Sequence, residues 1–222
     1  MQIEVRDRAG NRHELIIRNN GYDWDVVQEI LVHRIYAVDL AGVRHILDLG
    51  GNIGIATLWF AWSFPDAQIC TVEPVPGNLS VLERNVQLNR AAVRVVAAAV
   101  GPADGTARFA LSADPRQNSL NTAAPGLAKT IDVDVVSVPS LMALMGWDDI
   151  DLLKIDIEGG EKEVLAGNPA WLRKVRCIVG EGHFGVGYDI DACRRDLEPM
   201  GFRVESIVEN DGAWAFLARR PD

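Results

Sequence analysis

Two motifs in the first half of the chain could together bind a nucleoside-containing ligand. The first is Asp-Leu-Gly-Gly-Asn-Ile-Gly at positions 48–54, which follows directly on a short apolar run. Glycine at Gly50 and Gly54 lets the backbone turn sharply and approach a ligand without a clash from a Cβ atom. The second motif is Glu73-Pro74, which closes the next apolar run roughly 20 residues after the turn, where an acidic side chain can accept hydrogen bonds from ribose hydroxyls.

The spacing within the turn distinguishes two classes of ligand. A dinucleotide-binding turn requires G-x-G-x-x-G, so that pyrophosphate lies at the N-terminus of the following helix. Here Asn52 stands at the middle position and Ile55 at the third. The pattern D-x-G-x-N-x-G instead matches the turn that binds S-adenosylmethionine (SAM), which accommodates an amino-acid moiety.

The turn and the acidic residue together define a predicted SAM site. Within it, Asp48 either orients the turn or contacts the ammonium group of the ligand through water. The predicted cofactor-binding residues are Asp48, Gly50, Gly51, Asn52, Gly54, Glu73, Pro74 and Asn78.

Acidic side chains and one histidine follow two later apolar runs. In an open α/β sheet ligands bind beyond the carboxyl ends of the strands, so Asp156, Glu158, Glu181 and His183 are the candidates for chemistry. An imidazole titrates near neutral pH, which makes His183 the predicted general base for a hydroxyl acceptor. Asp156 and Glu158, at alternate positions of an extended segment, are predicted to share a face. They could hold the acceptor, orient the histidine, or, for Asp156 with Glu181, bind a divalent cation through oxygen ligands.

Each of these residues also has a plainer explanation. His183 lies in a glycine-rich loop and could be a surface residue. Glu158 and Glu161 could favour the N-terminus of the following helix by their charge, which is the role we predict for Glu161. Lys154, in the middle of an apolar run, is predicted to pair with a carboxylate, either Asp156 or Glu181.

The elements that position these residues follow from the hydrophobic pattern. Alternating residues around 9–11 predict a β-hairpin, and apolar spacing from Asp23 to about Leu40 predicts a helix. We therefore predict an extension over residues 1–40 and a main domain over residues 41–222. From His45 onward short apolar runs alternate with amphipathic stretches, which indicates βαβ units and a doubly wound, mostly parallel sheet.

Two further segments complete the predicted architecture. The final stretch has two strand-like halves around Asp211-Gly212, a strong signal for an antiparallel hairpin. Residues 101–130 are irregular and rich in proline, and we expect a strand pair and a loop that covers the site. Polar residues of that loop could line an acceptor pocket: Gln117, Asn118, Ser119 and Asn121.

The segment 151–161, DLLKIDIEGGE, followed by EVLAG, closely resembles the K-I-D-x-E-G-x-E…V-L-x-G signature of FkbM-type methyltransferases. DLGGNIG, VEPVPGNLSVLERNVQLN and CIVGEGH resemble further motifs of that family, and the resemblance extends from about Asp23 to the end. The chain departs from the family at SVPSLM, where relatives usually have L-D-D. The resemblance implies a class I methyltransferase fold, which is a Rossmann-like, seven-stranded sheet that ends in an antiparallel hairpin.

It also implies a function, O-methylation of a hydroxyl group on a sugar, a polyketide or another natural product, with SAM as cofactor and an uncertain need for a divalent metal. N-methylation of a small amine or peptide is the nearest alternative. A dinucleotide-dependent oxidoreductase and a non-catalytic SAM-binding protein remain alternatives from other classes, and the missing third glycine disfavours the former.

Composition limits the partners that we expect. The 222 residues suit one domain, and a net charge of −9 disfavours nucleic acid and anionic lipid. The three cysteines form no CxxC pair, no apolar run approaches the roughly 20 residues that span a bilayer, and the first residues do not resemble a secretory signal. We expect a cytoplasmic protein that acts on a small-molecule acceptor, and a homodimer remains open.

Overall fold

The computed structural model describes residues 1–7, 9–111, 129–167, 169–183, 188–209 and 213–221. Its strands are β1 (Gln2–Arg6), β2 (Arg12–Ile16), β3 (His45–Leu49), β4 (Gln68–Val72), β5 (Val93–Val96), β6 (Ala99–Val100), β7 (Gly105–Leu111), β8 (Lys129–Val136), β9 (Ile150–Ile155), β10 (Val175–His183), β11 (Arg203–Glu209) and β12 (Ala213–Arg219). Its α-helices are α1 (Gly21–Val27), α2 (Ile55–Ser63), α3 (Pro76–Leu88), α4 (Val138–Met145), α5 (Glu161–Leu165) and α6 (Ile190–Leu197). A π-helix spans Gln28–His33, and 3₁₀-helices span Ala170–Lys174 and Glu198–Met200.

Seven strands form the main sheet in the order β11-β12-β10-β9-β3-β4-β5. β5, β4, β3, β9 and β10 pair in parallel, whereas β12 is antiparallel to both β10 and β11. The predicted mostly parallel, doubly wound sheet with a C-terminal antiparallel hairpin is therefore confirmed. The chain leaves β3 toward β4 and β5 and later returns to β9 on the other side of β3. This reversal opens a crevice at the carboxyl ends of the central strands, where ligands bind in such sheets.

The central strands are buried on both faces, as expected for near-continuous apolar runs in a parallel sheet. One face packs against α4, α5 and α6, and the other packs against α2 and the N-terminal extension. Trp59 and Phe60 of α2 are buried in the core on the side of the N-terminal extension. Cys70, Cys177 and Cys193 are free and buried, where a thiol packs as a small apolar group.

The N-terminal extension contains the predicted hairpin, with β1 antiparallel to β2. The predicted helix to about Leu40 is too long, because helical structure begins at Gly21 and ends at His33. Arg34 adopts a left-handed conformation (φ 59°) that ends the helix. Tyr36 is nevertheless 2% exposed, since the chain beyond the helix packs against the main sheet. Tyr36 is therefore buried by its packing against the main sheet and not as part of the amphipathic helix that the sequence pattern predicted.

A second sheet has three strands in the order β6-β8-β7, and of these only β7 lies entirely within the segment 101–130 that was predicted to be irregular. β7 and β8 are antiparallel from Gly105↔Val135 to Leu111↔Lys129, so a strand pair is present, but its second strand lies mostly beyond residue 130. The polar residues at positions 117, 118, 119 and 121 lie outside the described residues. Within the described part of the chain, the structure has no helix with the length and apolar character of a membrane span.

Candidate active site

A cavity, partly open to solvent, lies at the carboxyl ends of β4, β3 and β9. The residues that follow these three adjacent strands meet in it. Five of the eight predicted cofactor residues line it: Gly50, Asn52, Glu73, Pro74 and Asn78. Asp156 and Glu158 line it as well. Sequence reasoning missed an apolar wall of the cavity, formed by Ala98, Ala99, Val100 and Phe109.

The turn after β3 requires glycine for steric reasons. Gly50 has φ 85°, and a Cβ there would lie 1.9 Å from the backbone oxygen of Asp156. At Gly51 a Cβ would lie 2.3 Å from Oγ1 of Thr71. The amides of Gly50 and Gly51 both donate to the carbonyl oxygen of Val72, at 3.0 and 2.9 Å. The turn is therefore fixed between β4 and β9.

Asp48 lies beneath this turn and is fully buried. One of its carboxylate oxygens accepts from Oγ1 of Thr57 at 2.6 Å and from Oγ1 of Thr71 at 3.2 Å. The other lies 3.3 Å from Nζ of Lys154. Asp48 was predicted either to orient the glycine turn or to contact the ligand through water, and these contacts favour the first role.

Lys154 connects the turn with the end of β9. Its ammonium donates to the carbonyl oxygens of Leu49 and Gly50, and Nζ lies 3.8 Å from Oδ2 of Asp156. Burial alone would lower the pKa of Lys154, but the charges of Asp48 and Asp156 outweigh it and raise the pKa above its usual value. The lysine therefore stays charged, and its nearest carboxylate is Asp48 rather than the predicted partners Asp156 or Glu181.

The carboxylate of Glu73 accepts hydrogen bonds from the glycine turn and from the start of α3. Oε2 accepts from the amide of Asn52 at 2.8 Å, and Oε1 accepts from the amide of Val75 at 2.9 Å and from Nδ2 of Asn78 at 3.3 Å. Burial raises the pKa of Glu73 to about 6, although these three donors act in the opposite direction. Asn78 in turn accepts from Arg18 at 2.9 Å, so the extension helps to fix the carboxylate.

Asn52 contributes an acceptor to the cavity. Its backbone is left-handed (φ 47°), and, among the described residues, no donor reaches the buried Oδ1 atom of its side chain. A buried polar oxygen without a donor is costly, and a ligand can remove that cost. The atom therefore indicates where a ligand hydroxyl or ammonium would bind.

The prediction that Asp156 and Glu158 share a face of an extended segment is wrong. β9 ends at Ile155, and Glu158 adopts a left-handed conformation (φ 57°) that turns the chain. Both residues still line the cavity, because the turn folds back over the end of the strand. Glu161 is buried and accepts from the amides of Ile157 and Gly159, both at 2.9 Å, so its carboxylate fixes this turn at the start of α5.

Tyr36 enters the site from the N-terminal extension, a role that sequence reasoning missed. Its hydroxyl lies 2.8 Å from Oε1 of Glu181 and 3.1 Å from Oδ2 of Asp156. Burial and the two neighbouring carboxylates raise the pKa of Tyr36. The phenol therefore remains neutral and can donate its proton to either carboxylate.

The predicted general base and metal site stay predictions. His183 is the last residue of β10 and pairs with Ala213, but its side chain lies outside the described structure. Within the described residues, one group of three side chains is close enough to share a metal ion, and it comprises His45, Asp149 and Asp151. That group lies at the amino ends of β3 and β9, at the opposite end of the strands from the cavity, and Nδ1 of His45 is 2.8 Å from Oδ1 of Asp149.

The family model that this chain matches and two of its relatives are described as methyltransferases. Residues 48–204 match a family model described as "Methyltransferase FkbM domain". The chain is 27% identical over 221 residues to "Methyltransferase sdnD" of Sordaria araneosa, which covers 84% of this chain and 80% of that protein. It is 28% identical over 235 residues to "31-O-demethyl-FK506 methyltransferase FkbM" of Streptomyces tacrolimicus, covering 89% of this chain and 87% of that protein.

Among solved structures, methyltransferase FkbM from Methylobacillus flagellatus KT superposes with a TM-score of 0.58 and 17% identity. The match covers 84% of this chain and 47% of that one, so the present chain spans about half its length. At this level of identity the similarity shows a shared fold.

Proposed function

This chain belongs to the FkbM family of methyltransferases, and from that premise we propose that it transfers a methyl group from SAM to a hydroxyl group of a small molecule. One observation carries the proposal. The glycine turn, the carboxylate of Glu73 and the unsatisfied oxygen of Asn52 converge on a single cavity at the reversal of the strand order.

The residues of the cavity fit the parts of SAM. Ionised Glu73 has about four lone-pair positions and receives three protein donors, which leaves capacity for a ribose hydroxyl. The apolar wall that contains Phe109 suits a planar adenine ring. Gly50 presents backbone rather than a side chain to the amino-acid end of the ligand, and Oδ1 of Asn52 can accept from its ammonium group or from a hydroxyl.

SAM, when bound, supplies a methyl group that is already activated on a positively charged sulfur. The protein must then align the acceptor oxygen and accept its proton. Asp156 and Glu158 lie at the cavity and supply negative charge there. We assign the acceptance of the proton to His183, at the end of the neighbouring strand, with Asp156 as its orienting partner or as the alternative base.

A hydroxyl acceptor is supported by the name of one relative, the 31-O-demethyl-FK506 methyltransferase, which describes transfer to an oxygen. We therefore propose a natural product such as a sugar or a polyketide as the acceptor class. Transfer to a hydroxyl requires a group that accepts its proton, and the ionisable side chains of Asp156 and Glu158 lie at the cavity.

Calorimetric titration with SAM and with S-adenosylhomocysteine tests the cofactor, and both should bind at one site per chain. Incubation with SAM and a panel of hydroxyl and amine acceptors, followed by measurement of S-adenosylhomocysteine, tests the reaction. His183→Ala should lower turnover by about 10²- to 10⁴-fold, the usual contribution of a general base. Absence of binding heat for both ligands with folded protein would refute the cofactor, and turnover with amines alone would refute O-methylation.

A further inference from the structure

We infer that Tyr36 is a positioning residue of the cofactor site, whose hydroxyl holds the carboxylate of Asp156 where it faces the cationic end of SAM. The inference rests on the proposed function. It assigns a role in ligand discrimination to the N-terminal extension, because SAM carries a positive sulfur and the product S-adenosylhomocysteine does not.

The contacts of Asp156 support this role. Among the described residues, Tyr36 is the one hydrogen-bond donor to its side chain, with its hydroxyl 3.1 Å from Oδ2. Nζ of Lys154 approaches the same oxygen only to 3.8 Å. This ammonium donates hydrogen bonds to the carbonyl oxygens of Leu49 and Gly50, and its nearest carboxylate is that of Asp48, at 3.3 Å.

The charges explain why an oriented Asp156 would matter to a cation. Asp48 is fully buried and lies 3.3 Å from Lys154, so these two charges largely compensate each other. Asp156 lines the cavity and keeps a partly exposed carboxylate, with 25% of its side chain accessible. Its negative charge can therefore attract a positively charged ligand in the cavity, because the distance is short and little water lies between them to screen the interaction.

Glu181 anchors the hydroxyl from the other side. Its Oε1 atom lies 2.8 Å from the hydroxyl oxygen of Tyr36, slightly nearer than the oxygen of Asp156. A phenol has a single proton, so the two carboxylates share this one donor, which lessens the repulsion between their charges at close range. Removal of the hydroxyl should therefore let Asp156 turn away from the cavity.

The local backbone places the ring at this position. A π-helix from Gln28 to His33 and the left-handed Arg34 end the preceding helical segment. π-helical turns often occur at functional sites. The chain then inserts Tyr36 against the main sheet, where its ring centroid lies 5.6 Å from Nζ of Lys154.

The test compares Tyr36→Phe with wild type by calorimetry, using SAM and S-adenosylhomocysteine as probes. Phenylalanine keeps the ring and removes only the hydroxyl. We expect the Kd for SAM to rise about tenfold, the scale of one hydrogen bond to a charged group, and the Kd for S-adenosylhomocysteine to change less than about threefold. Thr106→Val, which also removes one hydroxyl but from an exposed position of β7, is the control and should leave both values unchanged.

A double-mutant cycle with Asp156→Asn tests whether Tyr36 acts through Asp156. The neutral amide of the Asp156→Asn variant cannot attract the cation as a carboxylate does, so the double variant should resemble Asp156→Asn alone. The inference would be overturned if the effects of the two substitutions on the Kd for SAM were additive. It would also be overturned if Tyr36→Phe weakened the binding of both ligands equally and lowered the melting temperature. An unchanged ratio of the two Kd values in Tyr36→Phe would also overturn it. If wild type binds neither ligand, the proposed function itself fails, which distinguishes the two results.

Discussion

Cofactor binding should weaken as the pH falls through about 6, because of Glu73. This side chain is 5% exposed, and burial raises the pKa of Glu73 to about 6 even though three protein donors favour its ionised form. Ribose hydroxyls donate to a carboxylate and lose that acceptor when it is protonated. The form that is competent to bind the ribose is therefore the ionised one.

The magnitude follows from the fraction of ionised Glu73. With a pKa of about 6, roughly nine-tenths of the molecules are ionised at pH 7 and roughly one-tenth at pH 5. Since the apparent Kd is the intrinsic Kd divided by the competent fraction, affinity should fall about tenfold between these two pH values.

The effect on folding stability has the opposite sign. The pKa of Glu73 is higher in the folded protein than its ordinary value of 4.5, so the ionised carboxylate costs folding free energy above pH 6. Its contribution to stability improves as the pH falls from 7 to 5. Weaker binding at pH 5 therefore cannot be attributed to Glu73 destabilising the fold.

Calorimetric titration of S-adenosylhomocysteine at several pH values from 5 to 8 measures the effect. Glu73→Gln is the control, since the amide does not titrate and retains a carbonyl acceptor. Its affinity should be lower at pH 7 and should vary less with pH. If wild type shows no loss of affinity toward pH 5, or if Glu73→Gln shows the same slope, Glu73 is not the titrating ribose acceptor.

Two further substitutions probe the turn. Gly50→Ala should abolish detectable binding of S-adenosylhomocysteine and destabilise the fold by about 3 kcal/mol, because it combines a left-handed backbone with a Cβ 1.9 Å from a backbone oxygen just past β9. Gly77→Ala, where a Cβ would meet nothing within 4 Å, is the control in chemical denaturation, and equal behaviour of the two variants would contradict the steric account. Lys154→Met should cost about 3–5 kcal/mol, since it leaves Asp48 buried without its cation. Lys162→Met on the exposed side of α5 should be nearly neutral, and a similar small effect at Lys154 would disprove the structural importance of the ion pair.

Several residues of the site could be identified without a structure. Gly50, Asn52 and Glu73 were found because strand-turn-helix periodicity and a fixed spacing of roughly 20 residues are local properties of the sequence. The same reasoning placed Asp156 beyond the carboxyl end of a later strand, where ligands bind in an open α/β sheet. It erred at Glu158, because nothing in its residue type predicts that a non-glycine residue adopts a left-handed conformation there.

What the sequence alone determined is the alternation of strands and helices, the sheet class and the position of the glycine turn, since each depends on neighbouring residues. Only the tertiary structure decided which distant side chains meet. Tyr36 reaches Asp156 across 120 positions and Glu181 across 145, and Lys154 meets Asp48 because β9 returns to lie beside β3. These contacts arise from the order of the strands and from the way the extension packs on the sheet, and a hydrophobic pattern along the chain carries no information about either.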